Sequence, residues 1–205
     1  MRSNHIDNEL SEDRVHPDPI LQFSEWMDTA LKSGIDMPDV MSLATVSASG
    51  KPSIRMVLLK GYGERGFIFY TNYKSRKATE ISENSSVALA LYWKELERQV
   101  RIAGRAEKLS GLESDAYFES RPLGSQVSAI ISPQSTVISG REFLEKERKK
   151  YLKENMGHNK RPEYWGGYLV IPDTIEFWQG RPDRLHDRIL FTREKDRWIK
   201  SRLAP

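Results

Sequence analysis

The order of its apolar runs narrows the fold of this chain more than any other feature. Strand-like segments at 41–46, 53–60 and 67–71 are joined by Ser47-Ala48-Ser49-Gly50-Lys51-Pro52 and Gly61-Tyr62-Gly63-Glu64-Arg65-Gly66. Short turns of this kind join antiparallel neighbours, so the three segments read as a meander. A short polar helix over 74–84, with Ser75 as its cap, leads to two more strands at 87–93 and 98–108. Helices are expected at 112–120, 126–131 and 141–155, and strands again at 164–171, 174–178, 187–193 and 198–202. Ahead of the first strand, Leu21, Phe23, Trp26, Met27 and Leu31 mark an amphipathic helix over 20–31. Strands on both sides of a helical middle, without βαβ alternation, predict a mainly β fold: a small antiparallel barrel with helices packed outside.

A chain of 205 residues is long enough for one domain with a real core. That domain is placed at 20–205. Residues 1–19, polar, mixed in charge and ended by Pro17 and Pro19, are expected to be a flexible segment, disordered or loosely docked. Cysteine is absent, which excludes disulfides and thiolate metal sites. No apolar run approaches the roughly 18 residues of a membrane span, and the first residues do not read as a signal peptide, so a cytoplasmic location is expected. The net charge of +3 raises the question of nucleic acid. The basic residues alternate with acids, as at 142–150, and read as a solvated helix face; no nucleic-acid partner is expected.

Three clusters carry candidate chemistry. Near the carboxyl end, Trp178-Gln179-Gly180 and Arg184-Leu185-His186-Asp187-Arg188 place two guanidiniums, an imidazole and an aromatic close together. Such groups suit a flat, anionic ring ligand, and equally a surface ion-pair loop around a core Trp. Arg76 and Lys77 at a helix start suit a phosphate, because free N–H groups and the helix dipole both favour an anion. Their plainer reading is helix surface. Tyr117, Arg121 and Ser125 are spaced four and four, but Pro122 and Gly124 favour a break. Arg121 then ends a helix, with Ser125 in the following turn. Their three donors suit one phosphate, or form a solvated helix edge.

Eight stretches together resemble one family. They are Arg55-Met56-Val57-Leu58-Leu59-Lys60, Phe69-Tyr70-Thr71-Asn72, Ser75-Arg76-Lys77-Ala78, Leu96-Glu97-Arg98-Gln99-Val100, Ser120-Arg121-Pro122 with Ser125-Gln126, Ser132-Pro133-Gln134-Ser135, Phe177-Trp178-Gln179-Gly180 and Arg184-Leu185-His186-Asp187-Arg188. In order and spacing they are similar to the pyridoxine (pyridoxamine) 5′-phosphate oxidases, over about 17–205. The resemblance implies an FMN-binding split β-barrel, Greek-key-like, working as a homodimer with each flavin between subunits. It implies an FMN site of Arg55, Met56, Val57, Leu58, Leu59, Lys60, Tyr70, Thr71, Arg76, Lys77, Gln99, Gln134, Ser135, Trp178 and Arg188. It implies a substrate phosphate held by Lys60, Tyr117, Arg121 and Ser125, and a pyridine ring met by Arg184, Leu185 and His186. Arg184 and His186 are the implied catalytic pair. At the amino end the family often carries a basic, tyrosine-containing segment that folds over the substrate. Residues 1–19 offer only Arg2 and Arg14 and no tyrosine, so no site residue is carried over from there.

Arg55 and Lys60 are an odd number of residues apart, so in a regular strand they face opposite sides. Either the strand bulges or ends between them, or the flavin runs along its edge and binds backbone amides. The four apolar residues between them favour the edge. The implied reaction oxidises the 4′ carbon of pyridoxine or pyridoxamine 5′-phosphate, with oxygen as acceptor. Two other readings compete: a flavin oxidase of phenazine assembly, and a non-catalytic FMN or pyridoxal-phosphate carrier. The joint presence of Lys60, Arg121 and Ser125 argues against the first, and the Arg184–His186 pair against the second.

Overall fold

The computed structural model describes residues 9–155 and 159–205. Within them the chain runs α1 (Pro19–Lys32), β1 (Val40–Val46), β2 (Pro52–Leu58), β3 (Gly61–Gly63), β4 (Gly66–Asn72), α2 (Arg76–Glu83), β5 (Ser86–Trp93) and β6 (Arg98–Lys108). It continues with α3 (Gly111–Ser120), α4 (Leu123–Ile131), α5 (Arg141–Glu154), β7 (Trp165–Gln179), β8 (Asp187–Glu194) and β9 (Arg197–Arg202). The strands form one sheet in the order β2-β1-β5-β6-β7-β4-β3. Every pairing in it is antiparallel. The sheet forks at β7, whose first half pairs with β4 and whose second half pairs with β8, which in turn pairs with β9.

One connection decides the shape. β2 and β3 lie at opposite ends of the strand order, yet only Leu59 and Lys60 join them. Two residues span at most about 7 Å, so the sheet must curl until its ends meet. At that seam the Leu59 N–H donates to the Asp39 carbonyl and the Lys60 N–H to the Ile68 carbonyl, each at 2.8 Å. The result is the split barrel that the sequence implies. The predicted three-strand meander is corrected here: β1 and β2 pair, but β4 sits across the sheet beside β7. Gly61 to Gly63, expected as turn, pair with β4 as β3.

Alternation sends every second side chain inward. Met41, Leu43, Phe67, Phe69, Leu91, Val100, Phe177 and Ile189 are completely buried. Each contributes roughly 1.5–3 kcal/mol of burial free energy. α1 starts at Pro19 under the Asp18 cap, whose carboxylate accepts the Ile20 N–H at 2.8 Å. It covers the seam with Phe23, set edge-on to Tyr62 at 4.9 Å and to Phe67 at 5.0 Å. Trp26 meets Phe177 at 5.2 Å.

Two further expectations are sharpened. Residues 9–18 pack against the domain, because Leu10 and Val15 are buried in the core and Arg202 binds both Glu12 and the Leu10 carbonyl. Residues 1–8 of the expected flexible segment lie outside the described residues. The strands expected at 164–171 and 174–178 are one, β7, in which Asp173 is the extra residue of a bulge opposite Ala103 and Gly104.

Gly104 is required at that bulge, since a Cβ there would stand 2.0 Å from the Ile171 carbonyl oxygen. Gly104→Ala must displace backbone rather than a side chain. We expect it to cost at least about 2 kcal/mol, seen as a lower urea midpoint. An unchanged midpoint would contradict the close approach.

Candidate active site

The sheet presents two groups of predicted site residues at opposite ends of β7. The first gathers where β4 meets α2. Lys77 is 9% exposed, and its ammonium donates to Thr71 Oγ1 at 3.1 Å, Ser75 Oγ at 3.2 Å and Gln134 Oε1 at 3.0 Å. All three acceptors are neutral. Burial first, and then the charge of Arg55, lower its pKa from 10.5 to about 8, with Glu80 opposing. A buried cation without a carboxylate at hand is the signature of a place for an anion.

Glu80 organises the neighbouring arginines. Its carboxylate accepts hydroxyls of Thr45 and Ser53, each at 2.5 Å, and pairs with Arg55 at 3.2 Å and Arg76 at 2.8 Å. Burial alone would raise its pKa, but hydrogen bonds from Ser53, Thr45 and Arg76 outweigh it and hold the group at about 2. Arg55 is tied back on both terminal nitrogens: Nη1 donates to the Leu43 carbonyl and Thr45, Nη2 to Ser53 and Glu80. Neither Glu80 nor Ser75 was predicted as a site residue; the i,i+4 spacing of Arg76 and Glu80 is the signal that was there to read.

On the same end, Tyr70 stacks on Tyr117 at 3.7 Å, and Trp165 lies parallel to both rings. Arg121 sits over Trp165 at 4.5 Å. Its Nη1 is buried with no hydrogen-bond partner among the described residues, and burial lowers its pKa. The predicted break is present: Arg121 caps α3 and Pro122 opens α4. Ser125, expected in a turn, belongs instead to the first turn of α4. Lys60 is not drawn into this group; its ammonium binds Asp39 at 2.8 Å.

β2 ends at Leu58, so Arg55 and Lys60 are separated by the end of a strand. The edge favoured on sequence is also there, since β2 pairs with β1 alone. Met56 and Leu58 point to the outer face, while Leu59 is buried. Ser135, next to Gln134, adopts a left-handed φ of 69°.

The second group stands at the far end of β7. Gln99, Trp178 and Arg188 are neighbours across β6, β7 and β8. A cleft of about 630 Å³ opens beside them, lined by Tyr92, Glu97, Trp178, Arg181, Arg184 and His186 among others. The backbone N–H of Arg181 donates to His186 Nδ1 at 3.1 Å, and the imidazole lies 4.6 Å from the Trp178 ring. Asp183 and Arg184 hold left-handed φ values of 57° and 62°, a strained pair that folds the turn back on itself. Leu185 is exposed. Asp187 pairs with Arg202 at 2.8 Å and Arg181 at 3.6 Å, and accepts the Leu10 N–H, which fits an ion-pair partner rather than a base. Tyr92, Glu97 and Arg181 were missed: nothing local in the sequence places Tyr92 or Glu97 beside His186, whereas Arg181, five residues before it and next to Gly180, was there to read.

Tyr70 and Thr71 lie opposite Gly167 and Gly166, whereas Trp178 is eleven positions further along β7 than Gly167. At ~3.3 Å per residue that is on the order of 35 Å of strand.

This architecture defines a split-barrel oxidoreductase of the flavoprotein class, as comparison with known proteins bears out. Residues 27–152 match the family model for pyridoxamine 5′-phosphate oxidase, and residues 165–205 that for the pyridoxine 5′-phosphate oxidase C-terminal dimerisation region. A pyridoxine/pyridoxamine 5′-phosphate oxidase of Burkholderia cenocepacia is 52% identical over 100% of this chain and 97% of its own. Its counterpart in Burkholderia thailandensis is 51% identical over the same shares. Among solved structures, PhzG from Burkholderia lata, in complex with tetrahydrophenazine-1-carboxylic acid, superposes with a TM-score of 0.91 at 30% identity, covering 97% of this chain and 98% of its own. An FMN-binding protein from Nostoc punctiforme shares the fold, with a TM-score of 0.73 at 17% identity over 92% and 98%. The chain belongs to the pyridoxine/pyridoxamine 5′-phosphate oxidase family.

The lowered pKa of Lys77 has a consequence for stability in the chain without ligand. Below pH 8 both folded and unfolded states hold the proton, and the folded state bears the cost of burying it. Between about 8 and 10.5 the unfolded state binds more protons, so stability rises with pH. Wild type should therefore gain on Lys77→Met as pH increases from 7 to 10, measured as the difference in urea midpoints. A constant difference would mean the amine titrates normally.

Proposed function

We propose that the protein is an FMN-dependent oxidase that converts pyridoxine 5′-phosphate or pyridoxamine 5′-phosphate to pyridoxal 5′-phosphate. The alcohol or amine carbon at 4′ gives up two electrons and oxygen takes them, forming hydrogen peroxide. The amine substrate also takes up water and releases ammonia. The observation that carries this reading is the orphaned Nη1 of Arg121, buried beside Tyr117 and sharing none of the hydrogen-bond partners of Lys77. Two separate anion sites suit two phosphates, one on a mononucleotide and one on a substrate.

The residues at both ends of β7 fit FMN. Lys77, Arg76, Thr71, Gln134 and Ser135 would hold its phosphate, with Arg55 braced behind them and the free edge of β2, from Met56 through Val57 to Lys60, offering backbone groups. Tyr70 would stand beside them. Gln99, Trp178 and Arg188 would meet the ring system. When bound, FMN supplies the two-electron acceptor that no side chain can provide. Because the two groups stand at opposite ends of one strand, we assign each complete site to two chains of a homodimer. The matched C-terminal dimerisation region supports this. So does the outer sheet face, where Ile54 and Met56, 70% and 60% exposed, flank a floor of Ala44, Ala88 and Ala90.

Tyr117, Arg121 and Ser125 would hold the substrate phosphate, joined by Lys60 on release from Asp39, and Arg184, Leu185 and His186 its ring. An amide N–H can only donate, so His186 Nδ1 carries a lone pair and the neutral ring bears its proton on Nε2. His186 therefore offers a donor to the substrate ring and orients it, rather than taking a proton through Nε2. A second reading, oxidation of a tricyclic phenazine precursor, is favoured by the likeness to PhzG. Such a substrate leaves Arg121 without a phosphate.

Oxygen uptake separates the two readings. Pyridoxine 5′-phosphate should be consumed with formation of peroxide, and Arg121→Ala should raise KM roughly tenfold or more while flavin content stays normal. No turnover of either phosphorylated vitamer by flavin-loaded protein would exclude the proposal.

His186 makes a finer test. Glutamine places an amide N–H near the Nε2 position and asparagine near Nδ1. We expect His186→Gln to keep kcat/KM within about tenfold of wild type and His186→Asn to lose about a further tenfold, one hydrogen bond's worth. The reverse order would show that the ring acts through Nδ1.

A further inference from the structure

The flavin reading gives Arg188 a ligand but leaves open what aims it. Arg188 stands at the start of β8, directly across from Trp178. Its Nε donates to Glu176 Oε1 at 2.8 Å, and its Nη1 to the Ala204 carbonyl at 2.8 Å. The other Glu176 oxygen accepts Arg101 Nη1 at 3.1 Å. Arg101 faces Glu176 from β6, so one carboxylate on β7 bridges both neighbouring strands. Glu176 is 6% exposed. Around it the outer face is a floor of Ala88, Ala90, Ala103 and Leu190.

A carboxylate adds nothing to such a floor by packing. An apolar residue there would serve the sheet as well, because burying an ion pair rarely stabilises more than a hydrophobic contact does. What a carboxylate alone does is hold guanidiniums in fixed orientation. Arg188 is held through two of its three nitrogens. Nη2 has no hydrogen-bond partner among the described residues.

We propose that Glu176 is a positioning residue of the flavin site: it grips Arg188 at Nε, so that the remaining N–H edge meets the bound cofactor in a single orientation. This rests on the assignment of Arg188 to the flavin. It adds a residue that does not touch the ligand, and that the sequence presents only as a lone acid between Ile175 and Phe177.

A double-mutant cycle on FMN affinity tests it, read by quenching of flavin fluorescence as FMN is added to the apo-dimer. Arg188→Ala should weaken binding by roughly tenfold or more, and Glu176→Ala by a similar factor. The double variant should bind no more weakly than Arg188→Ala alone, because Glu176 acts through Arg188. A merely structural carboxylate would multiply the losses. Glu176→Gln keeps the shape and an acceptor, so a roughly threefold loss is expected, again vanishing without Arg188. If Glu176→Ala does not fold, the Gln cycle decides. Unchanged affinity in either Glu176 variant, or losses that multiply, overturns the proposal. Wild-type affinity in Arg188→Ala removes the flavin role of Arg188 itself, and the proposal with it.

Discussion

Everything in this molecule depends on a crossing of two residues. Leu59 and Lys60 carry the chain from one extreme of the strand order to the other, and a two-residue link leaves the sheet no option but to close on itself. Closure creates an interior that the inward-facing aromatics fill, and a seam that α1 must cover with Phe23. It also leaves β2 with one free edge beside the group that Lys77 dominates. The barrel and the site thus follow from one constraint on chain length.

Charge is handled in two opposite ways. Glu80 and Glu176 are buried acids, each holding two arginines, and they turn mobile guanidiniums into fixed ones. Lys77, a buried cation with neutral acceptors, and Arg121, half-buried with an unpartnered Nη1, are the reverse case. An acid fixes the direction in which its arginines point, and cations left without acids mark where an anion is welcome. This division separates Arg55, which is braced, from Lys77, which is poised, although both lie in family motifs.

The long strand β7 separates the two groups of candidate site residues, which the proposed function reads as two half-sites. A bulge at Asp173, made possible by Gly104, lets β7 pair with β4 along one half and with β8 along the other. On the proposed function, the same strand that completes the barrel places the two halves of each complete site on different copies of the chain.

Much of this was legible in the sequence. Period-two alternation marks the strands because one face of each is buried, and β6 falls on its predicted bounds; Pro122 marks the α3–α4 break because proline cannot continue a helix. The motifs name most residues of both candidate groups, since their types suit phosphates and rings. Other features only the tertiary structure decided. The predicted meander depended on β2 pairing with β4, and no local pattern reveals that the chain crosses the barrel instead. Leu10 and Val15 read as part of a polar segment until a core is there to receive them. Glu80 and Glu176 are ordinary acids in sequence and become organising groups only when burial removes water and leaves arginines as their partners. Local patterns determine which face of an element is buried; the closure of the sheet determines what that face meets.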